Sequence, residues 1–409
     1  MKPTAFGETA VSIGSRLCKE ALWTDDLCCW IGDSMSYEDS QWKVVRRPVG
    51  PNLYSGTAGI ALFLAQLFRS FPDQAFRKTA EGAMRYSVLQ LDRLKAAANF
   101  GFYSGLTGLA YVLHEMAESF GEQEFVEQSM AMLRSLPLLP IDSRRWDIVS
   151  GSAGVIPVLL RLNCRYGSQF LLDSAVLHGE ALLQSAERGE HGWSWAASDS
   201  QACNNLTGFS HGTSGVAWAL LELYHKTGIQ NFLSAAREAF RYERHWYSPK
   251  WENWPDFRST ASNGEYSYVA GWCHGAPGIG LSRIRAFQLS GAPNYREEAE
   301  IAVRTTTKSL QRALSGHDNY SLCHGHFGNA ELLLWAAHVL GNEVHINAVH
   351  EIAVDAMQKY GRERNPWPCG VMNGGETPDL LLGLAGIGYF YLRLYGPEKT
   401  PSVLLVGPD

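Results

Sequence analysis

Two stretches of this chain set soft metal-ligand side chains directly before a glycine turn: Trp272-Cys273-His274-Gly275-Ala276-Pro277-Gly278 and Leu322-Cys323-His324-Gly325-His326-Phe327-Gly328. Aligned on the first glycine of each, Cys273 matches Cys323 and His274 matches His324. Two thiolates and one imidazole are a donor set preferred by Zn²⁺, and three protein ligands leave the fourth tetrahedral position open, as in catalytic rather than closed structural sites. The candidate ligands are Cys273, Cys323 and His324. Anionic thiolates make zinc a weaker Lewis acid than three histidines would. The chemistry that suits such a site is therefore to bind an incoming thiol, ionise it and leave it nucleophilic.

The same Gly-x-x-Gly turn recurs with first glycines at 56, 105, 151, 212, 275, 325 and 383, in steps of 49, 46, 61, 63, 50 and 58 residues. The residue before that glycine is serine in the first three turns (Ser55, Ser104, Ser150) and histidine in the next three (His211, His274, His324). His211 has no neighbouring cysteine, so it reads as an acid or base across from the metal. Its place at a helix N-terminus predicts a lowered pKa and a neutral ring. Asp147, four residues before Gly151, approaches from the neighbouring repeat. It either partners His211 in proton transfer or forms a loop ion pair with Arg144 or Arg145. His274 would close the site as a fourth ligand, so it is placed behind the ligands or at the substrate. His326 and the vicinal Cys28-Cys29 match nothing across the repeats and read as structural.

These residues need elements that bring distant turns together. Each turn is followed by a segment apolar nearly all round, such as Ile60–Phe68, Leu109–Met116, Val155–Leu162, Val216–Tyr224 and Ala330–Leu340, which predicts helices buried on most sides. Between them run longer, more charged segments with helical spacing, such as Asp73–Leu94, Gln123–Leu136, Gln230–Trp246, Tyr295–Leu314 and Glu343–Tyr360. With Glu8–Leu22 as the first outer helix and Gly386–Leu394 as the last inner one, seven outer and seven inner helices alternate. The expected architecture is an all-α, α/α toroid of 14 helices in a single domain, 1–409, with the glycine turns ringing one mouth. Glycine suits turns that bring backbones close or need unusual dihedrals, and each turn delivers free N–H groups at a helix start. The Pro/Gly-rich stretches Pro249–Pro255 and Asn365–Pro378 are loops over that mouth. Trp251, Trp254, Trp367 and Cys369 there either line a substrate groove or pack their loops.

With 409 residues, 45% hydrophobic and 19% charged, and a net charge of -6, the chain has the composition of a folded protein with an ample core. A pI near 6.1 and the lack of a Lys/Arg block argue against nucleic acid and anionic membranes. No apolar run approaches the roughly 20 residues of a membrane span and no signal peptide precedes the repeats. Eight scattered cysteines, Cys203 among them, suit free thiols in a reducing, cytoplasmic setting.

The set Trp272-Cys273-His274-Gly275, Cys323-His324-Gly325 and Ser210-His211-Gly212, on seven Gly-x-x-Gly turns, resembles the lanthionine synthetase C family over nearly the whole chain. The resemblance implies a zinc-containing toroid, one ion per chain. Such an enzyme closes thioether rings in ribosomally made peptides by adding cysteine thiolates to dehydroalanine or dehydrobutyrine. Carried across, Cys273, Cys323 and His324 hold zinc while Asp147 and His211 handle protons. The runs Gly383-Leu384-Ala385-Gly386-Ile387-Gly388-Tyr389 and Pro401-Ser402-Val403-Leu404-Leu405 are similar to the cyclase half of class II bifunctional lanthipeptide synthetases. About 50 residues before the first turn leave no room for their dehydratase half, so the expectation is a stand-alone cyclase or an excised domain. A dehydratase, separate or missing, is the expected partner, and dehydrated precursor peptide the substrate. Some family members carry tyrosine where this chain has His274, which leaves that tyrosine's proton role unassigned. Three other readings compete. The eukaryotic-type branch joins glutathione to dehydroamino acids, and protein prenyltransferases combine a similar barrel with zinc but use Asp, Cys and His ligands. A non-catalytic scaffold holding a dehydratase and an exporter together would need no metal.

Overall fold

The computed structural model describes residues 4–38, 41–96, 99–142, 144–196, 204–260, 265–313, 319–341, 344–362 and 365–407. Cys203, Leu314 and Glu343 lie outside these. Among the described residues every glycine turn opens a helix: Thr57–Ser70, Leu106–Phe120, Ser152–Tyr166, Thr213–Thr227, Ala276–Ser290, His326–Leu340 and Leu384–Tyr395. These seven are apolar on all sides because they are walled on all sides; in the first, every residue from Thr57 to Leu67 is buried. Each packs against an outer helix: Thr4–Glu20, Gln74–Leu89, Gln123–Arg134, Gln169–Ser185, Gln230–Trp246, Pro293–Ala313 and Val344–Ala356. The outer helices bury one stripe, as Gln230–Trp246 does with Phe232, Ala235, Ala236, Ala239 and Phe240. The last inner helix packs on the first and, through Phe327 stacked on Phe390 at 4.2 Å, on the sixth, closing an α/α toroid.

Helical periodicity did not reveal four antiparallel hairpins among the described residues. They pair Leu22–Thr24 with Leu27–Cys29, Ile31–Glu38 with Gln41–Pro48, Glu187–Gly189 with Gly192–Ser194, and Asp256–Thr260 with Tyr266–Ser267. The first outer helix accordingly stops at Glu20, and Leu22 begins a strand instead of ending that helix. Cys28 is buried there and donates to the Thr79 carbonyl at 3.4 Å, a packing role.

Why glycine recurs is visible in the close approach of backbones. A Cβ on the second glycine of any turn would lie 1.8–2.3 Å from a carbonyl oxygen six residues earlier, as for Gly59 and Leu53 or Gly328 and Leu322. Unusual dihedrals, the other expected reason, are confined to Gly275 at φ 88°; the remaining first glycines are extended. These approaches let successive turns hydrogen-bond into a closed belt. Cys273 N–H donates to Cys323 O (3.3 Å), Cys323 to Leu381 (3.0 Å), Leu381 to Tyr54 (2.9 Å) and Tyr54 to Tyr103 (2.9 Å). Tyr103 then donates to Val149 (3.1 Å), Ile148 to Ser210 (3.1 Å), and Ser210 back to Cys273 (3.2 Å).

The C-terminal segment is drawn into the ring. Val403–Val406 are buried, Tyr103 Oη donates to Val403 O (2.6 Å) and Trp272 Nε1 to Leu404 O (3.0 Å). Arg393 Nε pairs with Glu331 at 2.5 Å, and the second Glu331 oxygen takes the Ser402 hydroxyl at 3.0 Å. Replacing Glu331 by Ala strands the Arg393 guanidinium in a buried setting, which typically costs about 3–5 kcal/mol. Urea unfolding of Glu331→Ala is therefore expected to show a midpoint well below wild type, with Glu331→Gln in between.

Candidate metal centre

The belt does the positioning. Because Cys273 and Cys323 stand one step apart on it, ligand atoms of Cys273, Cys323 and His324 fall within 4.8 Å of one another. His324 Nε2–H donates to Gly370 O at 2.9 Å, which holds the ring and leaves Nδ1 as the ring nitrogen for the Cys273 sulfur or a metal. The Cys323 thiol against the Cys273 sulfur holds Cys273 well below the usual thiol range, against burial and with help from His324. That contact and burial push Cys323 up. A half-buried and a buried sulfur, the first held towards its thiolate form, beside an imidazole are a donor set that a divalent cation completes, so these residues fit zinc.

His211 and Asp147 meet one belt step away. His211 Nδ1 and Asp147 Oδ2 are 2.6 Å apart, and Asp147 Oδ1 accepts from Ser150 N–H at 2.7 Å and its hydroxyl at 3.1 Å. Arg144 is instead engaged by Asp142 at 3.1 Å, so the loop ion pair with Asp147 does not form through it. Burial alone would lower the His211 pKa, but the Asp147 charge and hydrogen bond outweigh it and raise it. The expectation of a lowered value is thus overturned: the helix start is a weak partial charge, the carboxylate a full one in contact. Burial likewise works against Asp147 ionisation and is outweighed by His211 and Ser150, so its pKa is lowered.

His274 does not join the ligand cluster. Its ring is 1% exposed and stacks on His211 with centroids 6.0 Å apart. Neither ring nitrogen has a hydrogen-bond partner among the described residues, and burial lowers its pKa to about 4. His326 starts an inner helix with its ring edge-on to Tyr320 at 5.3 Å. Trp254 is buried, donating to Glu243 O at 3.0 Å, while Trp251 is exposed and stacked on Tyr268. Trp367 and Cys369 line a cavity of about 510 Å³ that His324 also walls. A second cavity of about 440 Å³ opens on the other side of His324, between Tyr54, Asp379 and the Ile31–Pro48 hairpin. A larger cleft, about 660 Å³, lies between outer helices 74–89 and 123–134 and is lined by none of the three candidate ligands, so size does not mark this site.

Two nearby residues escaped the sequence reading. Arg258 forks onto Asp256 at 2.9 and 2.7 Å, and the cysteine sulfurs bear on its charge. It sits in a hairpin inserted between repeats, so no repeat alignment could find it. Asp379 had a signal, since it stands four residues before Gly383 as Asp147 stands before Gly151.

A family model described as lanthionine synthetase C-like protein matches residues 47–405. The chain is 24% identical over 398 residues to the lacticin 481/lactococcin biosynthesis protein LcnDR2 of Lactococcus lactis subsp. lactis, covering 93% of this chain and 40% of that protein. It is 25% identical over 240 residues to the nisin biosynthesis protein NisC of the same organism, covering 53% and 56%. Against glutathione S-transferase LANCL1 of Danio rerio it is 27% identical over 205 residues, covering 47% and 44%. The chain thus spans less than two thirds of the length of each of these relatives. Nisin cyclase shares the fold at a TM-score of 0.66 and 18% identity, over 85% of this chain and 89% of the cyclase. An α-mannanase of Bacteroides thetaiotaomicron shares it at 0.51 and 11%, over 98% and 97%, so a toroid alone does not specify chemistry. No helix among the described residues is long and apolar enough to cross a membrane. Matched over most of its length and built on the same toroid, the chain belongs to the lanthionine synthetase C-like family.

Proposed function

We propose that the chain, 1–409 acting as one cytoplasmic domain, is a zinc-dependent lanthipeptide cyclase. Its substrate is a precursor peptide already dehydrated by a partner enzyme or a companion domain. The observation that carries this reading is the convergence of Cys273, Cys323 and His324 within 4.8 Å, one belt step from the Asp147–His211 pair. These three side chains would hold zinc, which would supply the positive charge that favours the ionised form of a peptide thiol. The sulfur pair attacks Cβ of a dehydroamino acid, the C–S bond forms, and the double-bond electrons move towards Cα and its carbonyl. His211, kept protonated by Asp147, returns a proton to Cα. His274 packs behind His211 and holds its ring in place.

A thiol-transferase reading has one point in its favour, the likeness to a glutathione S-transferase over about half the chain. Both are tested by incubating the zinc-loaded protein with a peptide carrying one cysteine and one dehydrobutyrine, with and without excess glutathione. Cyclisation makes the cysteine resistant to alkylation at unchanged mass. A mass gain of one glutathione with the cysteine still alkylatable would replace this reading with the other.

A further inference from the structure

Four residues before the first glycine of the seven turns stand Asn52, Gly101, Asp147, Gly208, Gly271, Ser321 and Asp379. Three of these brace their turns in one way. Asn52 Oδ1 accepts Ser55 N–H at 2.8 Å, Asp147 Oδ1 accepts Ser150 N–H at 2.7 Å, and Asp379 Oδ1 accepts Leu382 N–H at 2.8 Å. An amide oxygen therefore suffices for bracing, and the charge at 147 and 379 needs another reason. At 147 the reason is His211. At 379 the second oxygen accepts from the Thr377 hydroxyl, at 3.0 Å, and Asp379 is 2% exposed while lining the 440 Å³ cavity that His324 walls.

The belt places this carboxyl opposite the Asp147–His211 pair. Going round, Ser210 bonds to Cys273, Cys273 to Cys323, and Cys323 to Leu381. The repeat carrying His211 thus flanks the cysteines on one side and the repeat carrying Asp379 flanks them on the other. We propose that Asp379 is the base that takes the proton of the incoming peptide thiol. This rests on the cyclase reading for its substrate. The S–H bond breaks with its electron pair left on sulfur and the proton moves to the Asp379 carboxylate. After C–S bond formation Cα takes its proton from His211. Asp379 then loses its proton to water in the cavity, His211 regains one, and nothing is oxidised or reduced. Burial pushes the Asp379 carboxyl up to about 6, against its bonds from Leu382 and Thr377, which suits a base working near neutrality. The titratable and charged groups around it are Tyr54, His324, Arg47, Asp33 and Cys369.

Asp379→Asn keeps the turn brace that Asn52 shows to be sufficient, so the fold and the zinc content should survive. The probe is a cysteine peptide with serine in place of the dehydroamino acid, mixed by stopped flow with zinc-loaded protein in weakly buffered solution, where a pH indicator follows release of the thiol proton. In wild type this proton release should be about 10²-fold faster than in Asp379→Asn and should quicken as pH climbs through about 6, a rise the variant lacks. With a dehydrated peptide, ring closure by the variant should slow by about 10²-fold, the low end for a positioned base. Equal rates of proton release and of ring closure overturn the assignment and leave the cyclase reading untouched. Loss of zinc or helix content in the variant also overturns it, since the carboxylate would then be structural. Unequal rates of proton release with no cyclisation of any dehydrated peptide remove the cyclase reading and leave the base standing.

Discussion

Cys273→Ala and Cys323→Ala are each expected to carry no zinc after purification and to close no rings, while circular dichroism stays near wild type. The belt hydrogen bonds that place the two cysteines run through backbone N–H and carbonyl groups, so losing one sulfur does not undo the turns. What it undoes is the donor set, because two ligands remain where tetrahedral zinc needs three and an incoming thiol. The surviving thiol also loses the neighbour with which it shares a charge: without Cys323, Cys273 keeps the hydrogen bond from His324 but loses its largest stabilisation, and burial drives its thiol back towards the neutral form. Elemental analysis beside a thiol-alkylation assay reads both effects. A full zinc complement in both variants would disprove the metal assignment.

His211→Asn is expected to keep its zinc and to slow ring closure by roughly 10²–10⁴-fold, the usual contribution of a positioned acid. Asparagine keeps a polar side chain of similar reach near Asp147 but cannot carry the proton. Asp147 raises the His211 pKa, so the wild-type ring stays charged to a higher pH than a free imidazole, and the rate should fall as pH rises through that raised value. In His211→Asn that alkaline fall should disappear. Stability follows the same sign. The pair's contribution is present in full between about 3.9 and about 6.5, the unfolded carboxylate and imidazole values; it is lost as pH climbs through the raised folded value of His211 and as pH falls through the lowered one of Asp147. Asp147→Asn should resemble His211→Asn, and the double variant should be little worse than either, as for groups that act as a unit. Zinc loss in His211→Asn would make it a ligand; an unchanged rate would move the proton source elsewhere, with His274 the first candidate.

The seven turns, the alternation of buried and half-buried helices and the pairing of Cys273 with Cys323 were all legible in the sequence, because each follows from local rules. A glycine repeats where a Cβ would strike a carbonyl, an apolar face repeats where a helix is walled in, and equivalent positions in adjacent repeats must become neighbours once the ring closes. The hairpins were not legible: Gln41–Pro48 is exposed along nearly its whole length and Ile31–Glu38 is mostly half-buried on both faces, so no alternation of apolar and polar residues betrays them. The charge state of the site was not legible either. His211 and Asp147 lie 64 residues apart, and only their 2.6 Å contact sets the imidazole's proton against the pull of burial and of the helix start. Asp379 shows the division most plainly, since its place in the repeat could be read from the chain while its cavity could not. Position along a repeat is a property of the chain. Desolvation and the distance between charges exist only after the ring has closed.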